Sequence, residues 1–365
     1  MDMKELIIVI AILFMNCMSR EYYAVKTENP VFRPNTIFQG SEDLSSPKFS
    51  NLITKYKLDT IFHGETDEFK RILLLRHWIK SVVAINDSGP YPGDGNVEIM
   101  LDSALQGHRY TCGHYMVIQN AIMNAFGYVT RTMGAGPGVK GGPDGHHGID
   151  EIWLNSYNKW FLSDNKYDHH FEKNGIPLSA LEIRDEYLKN KAADIIKVKG
   201  PERTPFDIDP ETGTGKVRSA QTYTWIEWHG YNNIFTVWPN HKELLIMYED
   251  EYFKNNTWIW AGKQHWAFSQ PEFMKLVQDR DKIYWTPNTI TSEVKIDKNI
   301  AYINLSSETP NFKEYQMREL SSGKWETIGN KLTLKLRKKE YEWAFRVVNV
   351  ANVTGPEHKI IIKSK

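Results

Sequence analysis

The sequence predicts an α+β protein whose C-terminal part is all β, and three patterns carry that expectation. Apolar residues recur close to a 3.6-residue period over Asp67–Val83 and again over Met116–Phe126, the spacing of helices with a buried face. Between Ile149 and Asp164 two short apolar runs flank Asn155-Ser156-Tyr157-Asn158, a turn-forming tetrad, and so predict an antiparallel hairpin. Beyond Trp285, short alternating runs recur at Glu293–Ile296, Ala301–Leu305, Glu314–Glu319, Trp325–Ile328, Leu332–Leu336, Trp343–Val348 and Lys359–Ile362, the pattern of a small β-sandwich.

The bulk properties bound what such a chain does. Its 365 residues suffice for two or three domains, each with a sizeable core. Lys+Arg and Asp+Glu both total 45, which gives no reason to expect an electrostatically recruited partner such as nucleic acid. Twelve tryptophans imply large cores, a ligand groove, or both.

Residues 1–19 read as an export signal. Met1–Glu5 carry one Lys, and Leu6–Met15 are apolar throughout but too short to span a bilayer. The run ends in Phe14-Met15-Asn16-Cys17, which resembles the lipobox of bacterial lipoproteins, with Phe14 and Asn16 where Leu and a small residue are usual. The expectation is an exported protein of the bacterial cell envelope, held at the membrane by lipid on Cys17. The chain's only other cysteine is Cys112. With Cys17 lipidated, Cys112 has no intramolecular partner, so it is either a buried, inert thiol or one kept for chemistry.

Residues 20–50 read as an irregular lead-in with Pro30, Pro34 and Pro47, followed by a short helix over Asn51–His63. The Asp67–Val83 helix takes Thr66 as its expected N-cap. Asn86–Asn96, centred on Gly89-Pro90-Tyr91-Pro92-Gly93, is a loop, and Glu98–Leu105 a further helix. Cys112 then opens a helix that Gly127 stops. At that position a thiol meets unsatisfied N–H groups and the positive end of the helix dipole, both of which favour thiolate. A small buried hydrophobe is the alternative reading.

A strand is expected over Tyr128–Met133, then a glycine-rich passage, Gly134–Gly148, read as a flap beside a cleft. It lacks the Gly-Lys-Ser/Thr ending of a phosphate loop. After the hairpin come a helix over Ser179–Asn190 and a polar passage, Lys197–Ser219. The acidic run Asp207-Ile208-Asp209-Pro210-Glu211 in that passage lacks EF-hand spacing. Tyr223–Trp285 is aromatic and strand-like, with Trp225, Trp228, Trp238, Trp258, Trp260 and Trp266.

If the hairpin turns near Ser156, residues whose numbers sum to about 311–313 face each other, which puts His147 and Asp164 at its open end. His146 leaves the histidine ambiguous by one. Spacing alone does not bring Cys112 to the same place, and Asp164 read by itself is also a capping residue.

The order Cys112, His147, Asp164 and its surroundings resemble the transglutaminase-like superfamily, which includes transglutaminases, peptide N-glycanases and bacterial cysteine proteases. In that family the cysteine heads a helix leading to a Gly and an Arg, here Gly127 and Arg131. The family's His-x-Trp-x-Glu-x segment is His147-Gly148-Ile149-Asp150-Glu151-Ile152, with Ile149 at the Trp, and its Trp-x-x-x-Asp segment is Trp160–Asp164. The Arg76-His77-Trp78-Ile79 helix also fits, whereas Tyr110 replaces a common glycine. The likeness covers roughly residues 65–170, and the Glu151 offset favours His147 over His146.

The resemblance implies a transglutaminase-like, papain-like core in which the cysteine-bearing helix packs on an antiparallel sheet. Residues 51–284 would form this catalytic domain with its Trp-rich extension. Residues 285–365 would form a β-sandwich; there Tyr341–Asn349 followed by Gly355-Pro356 resembles the late strands of fibronectin type III or immunoglobulin-like modules. The implied catalytic residues are Cys112 as nucleophile, His147 as its proton partner and Asp164 as the orienting carboxylate, with no cofactor and no metal. Gln106 resembles a papain-type oxyanion glutamine.

The implied activity is hydrolysis of an amide bond in a protein, peptide or glycopeptide through a thioester, with acyl transfer to an amine as the alternative. Two other readings stay open. One is a non-catalytic surface protein that binds carbohydrate or peptide through its tryptophans. The other is a zinc site built from His114, Asp168, His169 and His170, whose spacing fits no standard ligand pattern and which exposed loop histidines explain better.

Overall fold

A computed structural model describes residues 20–137, 146–207, 219–233, 235, 244–256, 259–260, 263–321 and 323–365. The export segment with Cys17, most of the glycine-rich flap, the acidic run from Ile208 on, and Trp238 and Trp258 lie outside the described residues. The chain is α+β and divides into two units. The larger comprises Arg33–Pro287 and Asn349–Val353, the smaller Met1–Phe32, Asn288–Val348 and Thr354–Lys365.

The larger unit begins with four helices: α1 (Pro47–Tyr56), α2 (Glu68–Val82), α3 (Val97–Leu105) and α4 (Cys112–Ala125). The cap of α2 is Asp67 rather than Thr66: its carboxylate accepts from the Lys70 N–H at 2.8 Å. An aspartate there also meets the positive end of the helix, which a threonine cannot do. The expected Asn51–His63 helix starts earlier, at Pro47, and gives way to a 3₁₀ turn, Leu58–Phe62, where Lys57 takes a left-handed φ of 53°.

The strands that matter to the site are β1 (Thr130–Gly136), β2 (His147–Leu154), β3 (Lys159–Ser163), β4 (His169–Lys173), β5 (Trp225–His229), β6 (Leu245–Tyr248) and β7 (Met274–Val277). Six of them make one sheet in the order β7-β6-β5-β1-β2-β3, antiparallel except between β6 and β7. The first of these strands runs on into the glycine passage, because Gly134 and Ala135 pair with Gly148 and His147 across the sheet. The β2–β3 register pairs Asp150 with Ser163 and Leu154 with Lys159, a sum of 313 at each rung.

Two cores clothe this sheet. α1–α4 pack around Ile72, Leu101, Ile118 and Ile122, and that core reaches Ile152, Leu154 and Phe161 of β2 and β3. Ile149, Trp153, Trp160 and Leu162 belong instead to a second core with Met133, Tyr223, Trp228 and Ile246. The alternation of 152 and 154 against 149 and 153 is the period-2 signature of a strand buried on both faces. Across β1 and β2, the fully buried Arg131 and Glu151 stand opposite one another and pair at 2.6 Å. Trp228 Nε1 and the Ala180 N–H also donate to that carboxylate, at 2.8 and 2.7 Å.

In the smaller unit, antiparallel strands form a five-stranded and a three-stranded sheet. Residues of both, among them Ala301, Ile303, Leu305, Trp343, Phe345 and Ile360, share one apolar core. The expectation that residues 20–50 form a lead-in without regular structure is corrected here. Tyr22–Val25 is a strand paired with the last one, from Tyr22 against Ser364 to Val25 against Ile361. Four residues are too few for periodicity to announce, and their partner lies at the other end of the chain.

Candidate active site

Cys112 is the first residue of α4, and Thr111 is its N-cap without making the usual side-chain cap bond. Residues His114–Met123 and Ala125 are buried, so α4 runs through the interior with its N-terminus at the edge of the sheet. What lets that N-terminus approach the sheet is a glycine in the strand it meets. A Cβ on Gly148, in β2, would lie 3.2 Å from Gly113 Cα and 3.3 Å from Gly113 N. Helix and strand backbones therefore touch one residue after Cys112 and one residue after His147. Any side chain at Gly148 would push them apart.

The structure brings His147 and Asp164 together. His147 Nε2 lies 2.7 Å from Asp164 Oδ2, with both side chains fully buried. Of the two histidines, His146 goes elsewhere, with Nε2 3.1 Å from Glu227 Oε1. Asp164 is not a helix cap. Its backbone makes a two-way bridge with His169, at 3.0 and 2.9 Å, which returns the chain after β3 into β4 and fixes the carboxylate.

Burial pushes the Cys112 thiol up, but a hydrogen bond and the charge of His147, the Gly148 N–H and the charge of Lys166 outweigh it and bring it down to about 5. Cys112 itself is partly exposed. A carboxylate, an imidazole and a low-pKa thiol in series are what a cysteine nucleophile requires.

Several residues that support this arrangement were not singled out by sequence. Tyr223 Oη donates to Asp164 Oδ2 at 3.1 Å, from a 3₁₀ turn just before β5. Gln119, two turns along α4, donates to Asp150 Oδ2 at 2.7 Å and to the Ser163 carbonyl at 3.0 Å. Burial pushes the Asp150 carboxyl well up, and the neighbouring Asp164 charge adds to the effect, which favours the neutral form. Lys166 is buried two residues beyond Asp164 and holds Asp87 Oδ1 at 2.6 Å. No spacing rule marks any of these, because each acts across long stretches of chain.

Gln106 stands exposed at the C-cap of α3. The reading of His169 and His170 as exposed loop histidines is corrected: both are fully buried in β4. Burial pushes them down to about 3 and about 4, which leaves both rings neutral. His170 bridges Arg76 at 3.2 Å and Glu172 at 2.8 Å, while Arg76 and His77 both grip Asp168, at 2.8 and 2.6 Å. These are ion-pair and hydrogen-bond partners to one another. Among the described residues, no three His, Cys, Asp or Glu side chains are grouped so as to hold a metal ion. Likewise no described helix is long and apolar enough to cross a membrane.

No family model matches this chain, and no curated protein matches it. One solved structure that it resembles faintly is the transglutaminase of red sea bream. The likeness covers 85% of this chain and 60% of that one, at 9% identity and a TM-score of 0.23. This chain thus spans less than two thirds of that enzyme's length, and a likeness so distant says nothing of what it does.

Proposed function

We propose that this protein is a cysteine-dependent amide-bond hydrolase of transglutaminase-like type, acting through a Cys112–His147–Asp164 triad. The observation that carries the reading is the contact series itself. Gly148, next to His147, lies against the Cys112–Gly113 backbone, and His147 Nε2 is 2.7 Å from the buried Asp164 carboxylate. The α+β core with its cysteine at a helix start supports the transglutaminase-like assignment. The two-sheet smaller unit supports an immunoglobulin-like accessory module.

The chemistry follows from the protonation states. The Cys112 thiolate adds to the amide carbon, and the carbonyl π pair moves onto oxygen. The helix start supplies donors there, the Cys112 N–H among them; losing one such donor generally costs on the order of 10²–10³ in rate. Collapse of the adduct re-forms the carbonyl and breaks the C–N bond, and the imidazolium gives its proton to the departing amine. Water then adds to the thioester while His147 takes its proton. The thiolate leaves, and a carboxylic acid is released. Asp164 fixes the ring tautomer and balances the imidazolium charge throughout.

The substrate class is a protein, peptide or glycopeptide. In this reading the protein is exported and lipid-anchored at Cys17, so it works at the bacterial envelope.

Alkylation by iodoacetamide across pH 4–9, with the adduct mapped, tests the site. Cys112 is expected to react at a nearly constant rate above pH 6, with a midpoint near the thiol value of about 5. A midpoint near ~8.5, that of an ordinary thiol, or no reaction at Cys112, would remove the catalytic reading. Release of free carboxylate, against amide formed with an added primary amine, separates hydrolysis from transfer once a substrate is in hand.

A further inference from the structure

The triad leaves a buried lysine at the same site unused. Lys166 is 1% exposed, and its ammonium lies 2.6 Å from Asp87 Oδ1. The same Asp87 oxygen accepts from Thr111 Oγ at 3.2 Å, and Thr111 Oγ lies 3.7 Å from Cys112 Sγ. The one hydroxyl proton of Thr111 therefore serves either the carboxylate or the sulfur. A short chain of polar atoms runs from the sulfur through Thr111 and Asp87 to Lys166. The ammonium stands 5.5 Å from the centre of the Tyr167 ring, and that ring also faces His147, with ring centres 5.8 Å apart. Lysine and triad histidine thus flank one aromatic ring.

The two members of the Lys166–Asp87 pair are not equivalent. The lysine is enclosed, whereas the Asp87 side chain is 67% exposed and screened by water. A buried charge acts through a low dielectric and an exposed one does not, so the pair's net field at the sulfur is positive. His147 is the stronger influence on the sulfur, and the Gly148 N–H also favours its charge. Burial pushes the His114 imidazole down, despite Asp94 at 3.2 Å and the thiol, both of which favour its charge. Tyr167 is an aromatic wall.

We propose that Lys166 is the fixed cation of this site, held by Asp87, to which Thr111 also donates, so that it supports negative charge first on the Cys112 sulfur and then on the carbonyl oxygen of the acyl group. This rests on the nucleophile reading above and adds to it a permanent charge that does not leave when His147 gives up its proton. The thioester stage needs such a charge most, because His147 is neutral until it takes the proton of water, and a fixed cation then adds to the helix-start donors in favouring the second oxyanion.

The test compares a neutral and an anionic alkylating reagent, iodoacetamide and iodoacetate, on the unaltered protein, Lys166→Met, Lys166→Arg and Asp87→Asn. Lys166→Met is expected to raise the pH midpoint of Cys112 alkylation by about one unit and to lower the iodoacetate-to-iodoacetamide rate ratio several-fold. Asp87→Asn keeps the lysine but removes its counter-charge, so the midpoint falls and the ratio rises. Lys166→Arg stays close to the unaltered protein. A merely structural role moves the Lys166→Met and Asp87→Asn midpoints in the same direction, and that result, or no shift in Asp87→Asn, overturns the proposal. Should Lys166→Met not fold, Asp87→Asn decides by itself. Failure of Cys112 to react in the unaltered protein would instead overturn the nucleophile reading, and this one with it.

Discussion

At the scale of single residues, the site is a problem in keeping charges where burial opposes them. The thiol at Cys112 is driven up by burial and pulled down further by His147, Gly148 and Lys166, so it rests ionised at neutral pH. Asp150, two residues beyond Gly148, goes the other way: enclosed, given one donor by Gln119 and placed near the Asp164 charge, its carboxyl is pushed well up, which favours the protonated form. A carboxyl whose folded pKa lies above its unfolded value contributes fully only below the unfolded pKa. Its stability contribution falls as pH rises from there towards the folded pKa. Asp150→Asn keeps the shape and removes that loss. It is expected to stabilise the larger unit more at pH 8 than at pH 4, as read from urea midpoints at the two pH values. Equal effects at both would mean that Asp150 is ionised in the folded protein. Tyr223→Phe removes a buried donor from the triad carboxylate and should lower stability by about 1 kcal/mol.

At the scale of elements, the site exists because α4 and β2 meet backbone to backbone at Gly113 and Gly148. Gly148→Ala places a methyl group 3.2 Å from Gly113 Cα, closer than such contacts ordinarily come, so one of the two must retreat. The displacement separates Cys112 from His147. The expected outcome is a rise in the alkylation midpoint of Cys112 towards that of an ordinary thiol, with secondary structure by circular dichroism unchanged. A second element-level device is the Asp67 cap on α2, which accepts from the Lys70 N–H at 2.8 Å. Asp67→Ala should cost about 1 kcal/mol in thermal or urea unfolding, whereas Thr66→Ala, one residue away, should cost little.

At the scale of the whole molecule, each unit is closed by residues far apart in sequence. In the larger unit, Arg131 and Glu151 draw β1, β2, β5 and the start of the Ala180–Asn190 helix to one buried point, and Arg131 also donates to the Ile283 carbonyl at 2.6 Å. Replacing Glu151 with Gln leaves the guanidinium buried without its counter-charge, a loss of about 3–5 kcal/mol for pairs of this kind. The chain is expected to unfold at markedly lower urea. In the smaller unit, the strand Tyr22–Val25 covers the edge of the last strand, and Tyr22 is buried in the shared core. Deleting residues through Val25 should lower the unfolding temperature of that unit, because the Ile361–Ser364 stretch then loses its paired edge.

The sequence by itself determined the periodic elements and one end of the site. Periodicity located α2, α4 and the C-terminal strands because their buried faces repeat within a few residues. The hairpin arithmetic aligned His147 with Asp164 because the β2–β3 register depends only on a short local turn. Tertiary structure alone decided the rest. It separated His146 from His147 by giving them different carboxylates, and buried His169 and His170 among Arg76, Glu172 and Tyr223. It also made Lys166 and Asp87 neighbours of Cys112 and added Tyr22–Val25 to the final strand. These features share one physical reason: each depends on which distant surfaces come into contact. Contact between residues tens to hundreds of positions apart leaves no period in either segment.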